Sequence, residues 1–351
     1  MTKAEYPVTC SLMWTDSCGI TKKLPIPPNY PLIRQKIYFC TRPWLRVLFT
    51  SSTLASLFLF TFVISHLLMI IIADCGSTKC DWLLTRGGRD QQLENTIGFS
   101  PFFHSTVEIT EILKTQLLPK VKAEEVTHIY FYGTGVHDEH RTEIVAAALG
   151  AVFPNAEVEV EHDLLAAARA TCGRSAGIAC ILGTGSNSCY YDGTKILDNV
   201  PSLGWLLGDE GSGTHLGKAL LRAKFYRELP ADLNQAFNTA YPEGQDAIKD
   251  KIYEKGANSY LATFTRFLGD HLPHPFVQHL VAGCLNQFLD RHVVKYSGHQ
   301  HVPVHFVGSI AHHFQEVLTK SMDERKLKLG MVVRKPIYPL ADYHVHPPAD
   351  Q

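Results

Sequence analysis

The chain has 351 residues, 45% of them hydrophobic and 19% charged, enough for two domains with sizeable cores. Its formal net charge of −1 gives no reason to look for a nucleic acid or an anionic surface as partner. Nine cysteines, an odd number without a C-x-x-C pair, exclude a disulfide framework or thiolate zinc site as the organising feature and fit a reducing, cytoplasmic compartment.

Residues 1–44 show no clear period, and Pro25, Pro27, Pro28 and Pro31 interrupt any regular element. Residues 45–68 are mostly apolar with Arg42 and Arg46 at their start, a length and flank that permit a transmembrane helix. A buried strand starting at Met69 would leave no linker to a bilayer. Residues 1–68 therefore read as an N-terminal extension outside the chemistry, with membrane anchoring through 45–68 as the alternative.

From Met69 the pattern is regular. Residues 69–72 are a short apolar strand, 80–84 a returning strand, and 91–96 a third after the Gly87-Gly88 turn. Residues 96–103 form a loop. Ser105 is placed to cap a helix that runs to Leu118 and stops at Pro119. A strand at 128–132, a helix at 137–149 ended by Gly150, a strand at 158–161 and a helix after Asp163 complete the order βββαβαβα in a first domain, 69–173. The order restarts at Ile178 in a second domain, 174–344, with helices across 215–228, 233–239, 246–255, 259–268 and 275–296. A strand at 304–307 and a helix at 311–318 follow, and a tail covers 345–351. The histidine pairs at 137/140, 312/313 and 344/346 lack a metal-ligand pattern and read as surface or structural.

Two turns in this order invite a functional reading. Asp74-Cys75-Gly76-Ser77-Thr78-Lys79 ends the first strand, and Leu182-Gly183-Thr184-Gly185-Ser186-Asn187 ends its counterpart. Aligned, Gly76 falls on Gly185, Ser77 on Ser186 and Cys80 on Cys189, as a duplicated unit would require. Such turns offer backbone N–H groups and hydroxyls to an anion, and Asp74 adds a carboxylate for a magnesium ion or its waters. The same residue types also make ordinary hairpin turns.

With Gly204-Trp205-Leu206-Leu207-Gly208-Asp209-Glu210-Gly211-Ser212 and Phe306-Val307-Gly308-Ser309-Ile310, these segments complete a set of four, in order. From Met69 to about His344 the chain resembles the N-acetylglucosamine kinase-like family of the actin-like ATPase and sugar-kinase superfamily. The resemblance implies two α/β domains of ribonuclease H-like fold with a cleft between them. It also implies ATP and Mg2+ as cofactors and phosphorylation of a hydroxyl, the 6-OH by expectation, of N-acetylglucosamine or a related amino sugar.

The resemblance assigns roles residue by residue. Asp163 matches the general base, although Asp is also a strong helix N-cap and both roles are compatible. Asp74 matches the magnesium-side carboxylate. Gly76, Ser77, Thr78 and Lys79 face Gly183, Thr184, Gly185 and Ser186 across the phosphates, and Gly308 and Ser309 pack near adenine. Asp209 matches the sugar-binding aspartate, and Trp205 has the shape to cover a sugar face or to join the core. Two positions depart from the pattern. Ser100 stands where relatives commonly carry asparagine, which leaves the sugar's identity open. Cys75 stands where glycine is common.

Two other functions remain on the same fold. An ATPase activator would need cluster-binding cysteines, for which Cys172 and Cys180 are the candidates. A sugar-responsive regulator would need a DNA-reading module, and residues 1–68 carry no such signature. Homodimerisation is compatible with the sequence but not specified by it.

Overall fold

The computed structural model describes residues 68–76 and 78–345, together with the backbone of two short strands nearer the N-terminus. Those strands, β1 (Leu12–Thr15) and β2 (Thr21–Leu24), pair antiparallel and lie in a separate unit from residues 69–351. The apolar stretch at 45–68, apart from Leu68, lies outside the described residues. Among the described residues no helix is long and apolar enough to cross a membrane.

The unit from Met69 onward is built twice on one plan. In the first half, β3 (Met69–Cys75), β4 (Lys79–Arg86) and β5 (Arg89–Ile97) form an antiparallel meander. Gly87 and Gly88 turn the chain between β4 and β5 at φ of 58° and 75°, values that suit glycine. Helix α1 (Thr106–Ile112) follows, then β6 (His128–Gly133), α2 (Glu139–Val152), β7 (Glu157–His162) and α3 (Asp163–Cys172). Strands β6 and β7 add in parallel beside β3, giving the order β5-β4-β3-β6-β7.

The second half repeats this with β8 (Gly177–Leu182), β9 (Ser186–Tyr191) and β10 (Ile196–Asp198). A helical run comes next: α4 (Gly204–Leu207), α5 (Gly213–Phe225), α6 (Ala231–Ala240), α7 (Gly244–Ile252), α8 (Ala257–Thr263), α9 (Thr265–Asp270) and α10 (Pro275–Arg291). The chain then returns through β11 (Val304–Val307), α11 (Ser309–His313), α12 (Gln315–Glu324), β12 (Leu329–Val333) and α13 (Ile337–Val345). The order β10-β9-β8-β11-β12 and its parallel and antiparallel pairings match the first sheet strand for strand. The fold is the expected pair of ribonuclease H-like α/β sheets.

Local sequence explains most boundaries. Ser105 caps α1 in a capping box with Glu108, satisfying two orphan amides at once. The helix then continues as one π-turn over Leu113–Leu117 before Pro119 closes it in a 3-10 turn. Some expectations need correction. Helix α2 runs through Gly150 to Val152, because Val145, Ala148, Leu149 and Val152 keep one buried face. The segment expected as one helix at 259–268 is two, as is the one begun at 311.

The last helix of each half crosses to the other. Leu164, Ala167, Ala168 and Cys172 of α3 pack with Ala179, Cys189, Tyr191 and Val307 of the second sheet. In return His344 of α13 stacks on Tyr130 of β6 at 3.6 Å between ring centroids. It also shares a 2.7 Å hydrogen bond with the Tyr132 hydroxyl, to which Arg169 of α3 donates at 2.7 Å. This exchange sets the N-terminus of α3 between the two sheets.

Candidate active site

Strand register assembles the first half of the site. Cys75, Gly133 and His162 lie side by side at the C-terminal ends of the parallel strands β3, β6 and β7. In open α/β sheets this is the edge where ligands bind. Asp74, the 76–79 turn, residues 134–135 and Asp163 follow from that row. The turn is closed by the Gly76 amide donating to the Lys79 carbonyl at 3.0 Å and tied down by the Gly98 amide to the Thr78 carbonyl at 3.0 Å. Gly76, Thr78 and Lys79 are exposed, as a ligand-binding turn requires. Ser77 lies outside the described residues.

Three carboxylates crowd this edge. Asp74 and Asp81 are cross-strand partners in the β3–β4 ladder. Burial pushes the Asp74 carboxyl up to about 7, and the charges of Asp163 and Asp81 add to the effect against Lys79 and Lys335. Burial also works against the charge on Asp81. The hydrogen bonds from Lys335 and Lys79, each at 3.0 Å, outweigh it and hold its pKa below the ordinary value. Asp163 is the first residue of α3, where the helix dipole favours a carboxylate. The helix cap is not Asp163 but His162, which accepts from the Leu164 amide at 3.0 Å.

The second half mirrors this edge. Ile181, Val307 and Val333 lie in one row where β8, β11 and β12 end, Leu182 being the last residue of β8. Beyond it lie the 183–186 turn, Gly308, and residues 334–335. The Gly213 amide donates to the Gly183 carbonyl at 2.8 Å, and the Thr214 hydroxyl to the Thr184 carbonyl at 2.7 Å, so α5 latches the turn. Gly308 backs it at φ 122°, so close that a Cβ would stand 2.3 Å from the Leu182 carbonyl oxygen. Ser186 is 5% exposed, and its hydroxyl has no partner among the described residues, an unmet donor at the end of the second turn. Lys335 then joins the two edges, since it leaves the end of β12 and reaches Asp81 on β4.

The sugar-side candidates separate into two places. Ser100 is buried beneath Gly135, where a Cβ would meet its hydroxyl at 2.4 Å. This is the corner that also holds Phe102, His137 and His162. Asp209 sits in the second half at φ 54°, buried, with Ser202 donating to Oδ1 at 2.7 Å. Its Oδ2 would be 2.8 Å from a Cβ on Gly185, so the carboxylate presses against the second turn. Trp205 packs partly buried on the second core, and its carbonyl accepts from Lys218. Ser309 opens the short helix α11 directly after Gly308.

Comparison with known proteins decides the family. No protein-family model and no curated protein matches the chain. Among solved structures, a candidate N-acetylglucosamine kinase from Porphyromonas gingivalis is 40% identical, with a TM-score of 0.75. The match covers 79% of this chain and 99% of that one. The chain belongs to the N-acetylglucosamine kinase-like family. A second candidate N-acetylglucosamine kinase, from Chromobacterium violaceum, shares the fold at 15% identity and a TM-score of 0.57, over 80% of this chain and 99% of its own.

Within this family frame, Asp81, Lys335, His162 and His137 are site neighbours that sequence motifs did not single out. Asp81 was accessible in principle. A hairpin that pairs Cys75 with Cys80 must also pair Asp74 with Asp81. Lys335 was not, because neither β12 nor α13 was foreseen. A magnesium ion at these carboxylates would have to take most of its ligands from water and phosphate. Among the described residues no three His, Cys, Asp or Glu side chains could hold a metal ion by themselves.

Two outcomes follow from this geometry. A Cβ on Gly183 meets nothing within 4 Å, whereas one on Gly308 is strained and blocked. Gly308→Ala should lower stability by at least about 1–3 kcal/mol. Gly183→Ala should melt like wild type yet bind ATP more weakly, because the methyl group occupies phosphate space. Equal melting of the two variants, or undiminished ATP affinity in Gly183→Ala, would contradict the arrangement.

The second outcome concerns Asp74. Its folded pKa of about 7 exceeds the ordinary 3.8, so stability falls as pH rises between those values and the full penalty stands above them. Asp74→Asn should therefore be more stable than wild type at pH 8 without ligands, by about 2–4 kcal/mol, and equal to it near pH 4. Denaturant melts of both proteins across that range check it. No gain at pH 8 would refute the raised Asp74 carboxyl.

Proposed function

We propose that this chain is an ATP-dependent kinase that phosphorylates a hydroxyl, the 6-OH, of N-acetylglucosamine or a closely related amino sugar. The observation that carries this reading is the convergence of Asp74, Asp81 and Asp163 with Lys79 and Lys335 where the two sheet edges meet. Relatives carry the same name. Phosphoryl transfer needs positioning and charge stabilisation, with one carboxylate to orient the nucleophile.

Asp163 is that carboxylate. Its side chain is 30% exposed at the start of α3, open enough to meet a hydroxyl. It takes the proton of the sugar hydroxyl as that oxygen bonds to the γ-phosphorus and ADP leaves. Gly76, Ser77, Thr78 and Lys79 receive the phosphates from one half, and Gly183, Thr184, Gly185 and Ser186 from the other. Gly308 and Ser309 lie on the adenosine side. Asp74 would hold the waters of a magnesium ion, which when bound would neutralise charge on the phosphates. Ser100, Trp205 and Asp209 contact the sugar once the halves, 69–173 and 174–344, close around both substrates. The activator reading finds less support. Cys172 and Cys180 are both buried, and burial pushes Cys172 up to about 11, which suits inert thiols.

The test is Asp163→Asn. Because His162 is the cap, the substitution leaves a capping side chain in place while removing the proposed proton acceptor. The melting temperature and ATP affinity should hold, while kcat with N-acetylglucosamine falls about 10²–10⁴-fold. Near-wild-type turnover would sink the assignment of Asp163.

A further inference from the structure

The side chain that caps α3 also touches the proposed base. His162 Nδ1 lies 3.0 Å from the Leu164 amide nitrogen and 3.0 Å from Asp163 Oδ1. A single ring nitrogen cannot serve both. Carrying a proton, Nδ1 donates to the Asp163 carboxylate, and the Leu164 amide loses its acceptor. Without one, Nδ1 accepts from Leu164, and its lone pair faces the negative oxygen of Asp163. The helix-end amide needs an acceptor, and the carboxylate prefers a donor. Ring protonation decides between them.

The surroundings make this pair a defined unit. His162 ends β7 in extended conformation, at φ −74° and ψ 147°, and its side chain is only 21% exposed. The His137 ring packs 4.5 Å away at 39°, and Phe102 lies 5.8 Å beyond it with Arg141 over its far face at 4.0 Å. The charged and titratable groups facing His162 are Asp163 and Glu161 on its own segment and His137 on the loop after β6. Asp138 and Arg141 stand behind His137, and Asp74 stands behind Asp163. The β6 neighbour, Gly133, contributes none.

We propose that His162 is a positioning residue for Asp163. Through the protonated ring it holds the carboxylate in the orientation that receives the substrate proton, and it releases the carboxylate when the ring is neutral. This rests on the reading of Asp163 as base. Burial favours the neutral ring, but the hydrogen bond and charge of Asp163, with Glu161, outweigh it and raise the His162 pKa above 6.5. His137 moves the other way, lowered by burial and by His162, and serves as a neutral wall that fixes the ring. As pH rises through the His162 pKa, the ring keeps its remaining proton on Nε2, Nδ1 turns to Leu164, and kcat declines.

Two variants of the full chain and two readouts test this. The His162 ring is followed by NMR titration in wild type and in Asp163→Asn. It should titrate above 6.5 in wild type and lower in the variant. His162→Asn retains a good cap, since asparagine accepts from helix amides as well as any residue. Its melting temperature and KM for the sugar should stay near wild type. Its kcat should fall about 10–100-fold, the scale of a small misplacement of a reacting group, and the alkaline decline of kcat should disappear. An unshifted ring titration in Asp163→Asn overturns the proposal, and so does a His162→Asn enzyme with wild-type kcat and pH profile. If instead Asp163→Asn turns over normally, the base assignment fails by itself, and the NMR titration still decides whether the two side chains are coupled.

Discussion

Like charges held close together in a partly buried place are the constraint on which the rest of the molecule depends. Asp74, Asp81 and Asp163 come from three different segments, and none gains stability from the others. Lys79 and Lys335 compensate Asp81, while burial, with the charges of Asp163 and Asp81 added, raises the Asp74 carboxyl to about 7 against those same lysines. Such a cluster lowers folding stability, and on the proposed reading it is the place that would receive a cation and phosphates. Polar strain of this kind concentrates at functional sites.

The duplicated fold supplies the cluster. Each half delivers one glycine turn after its first strand, and the identical sheet orders give both turns the same position relative to their parallel strands. The exchanged helices then fix the halves relative to each other. α3 rests on the second sheet and carries Asp163 at its start, while α13 rests on the first sheet and draws Lys335 across to Asp81. Asp163 of the first half and Lys335 of the second are thereby brought to the same cluster of charges around Asp74 and Asp81.

Much of this was legible in the sequence where local chemistry dominates. The β-branched run before Asp74, the glycine turns and the capping Ser105 each fix their own geometry. What escaped depended on distant partners. Helix α13 contains Pro339 in its first turn and a mixed pattern, and it forms because His344 finds Tyr130 and Tyr132 on the other half. Strand β12 includes Gly330, pressed against the His305 ring, and has no alternation strong enough to announce a strand. With both missed, Lys335 had no predicted place. The cap of α3 was displaced by one residue because ladder pairing with Gly133 keeps His162 extended and leaves Asp163 to begin the helix.

The central claim is that the paired turns and the carboxylate cluster transfer a phosphoryl group to an amino sugar. The most direct measurement is phosphorus NMR of the purified chain with ATP, magnesium and N-acetylglucosamine, N-acetylmannosamine, glucosamine or glucose in parallel. The account predicts a new phosphomonoester signal with N-acetylglucosamine or a close amino sugar, split by the two protons on C6, alongside stoichiometric ADP. ADP with inorganic phosphate alone for every sugar would contradict it.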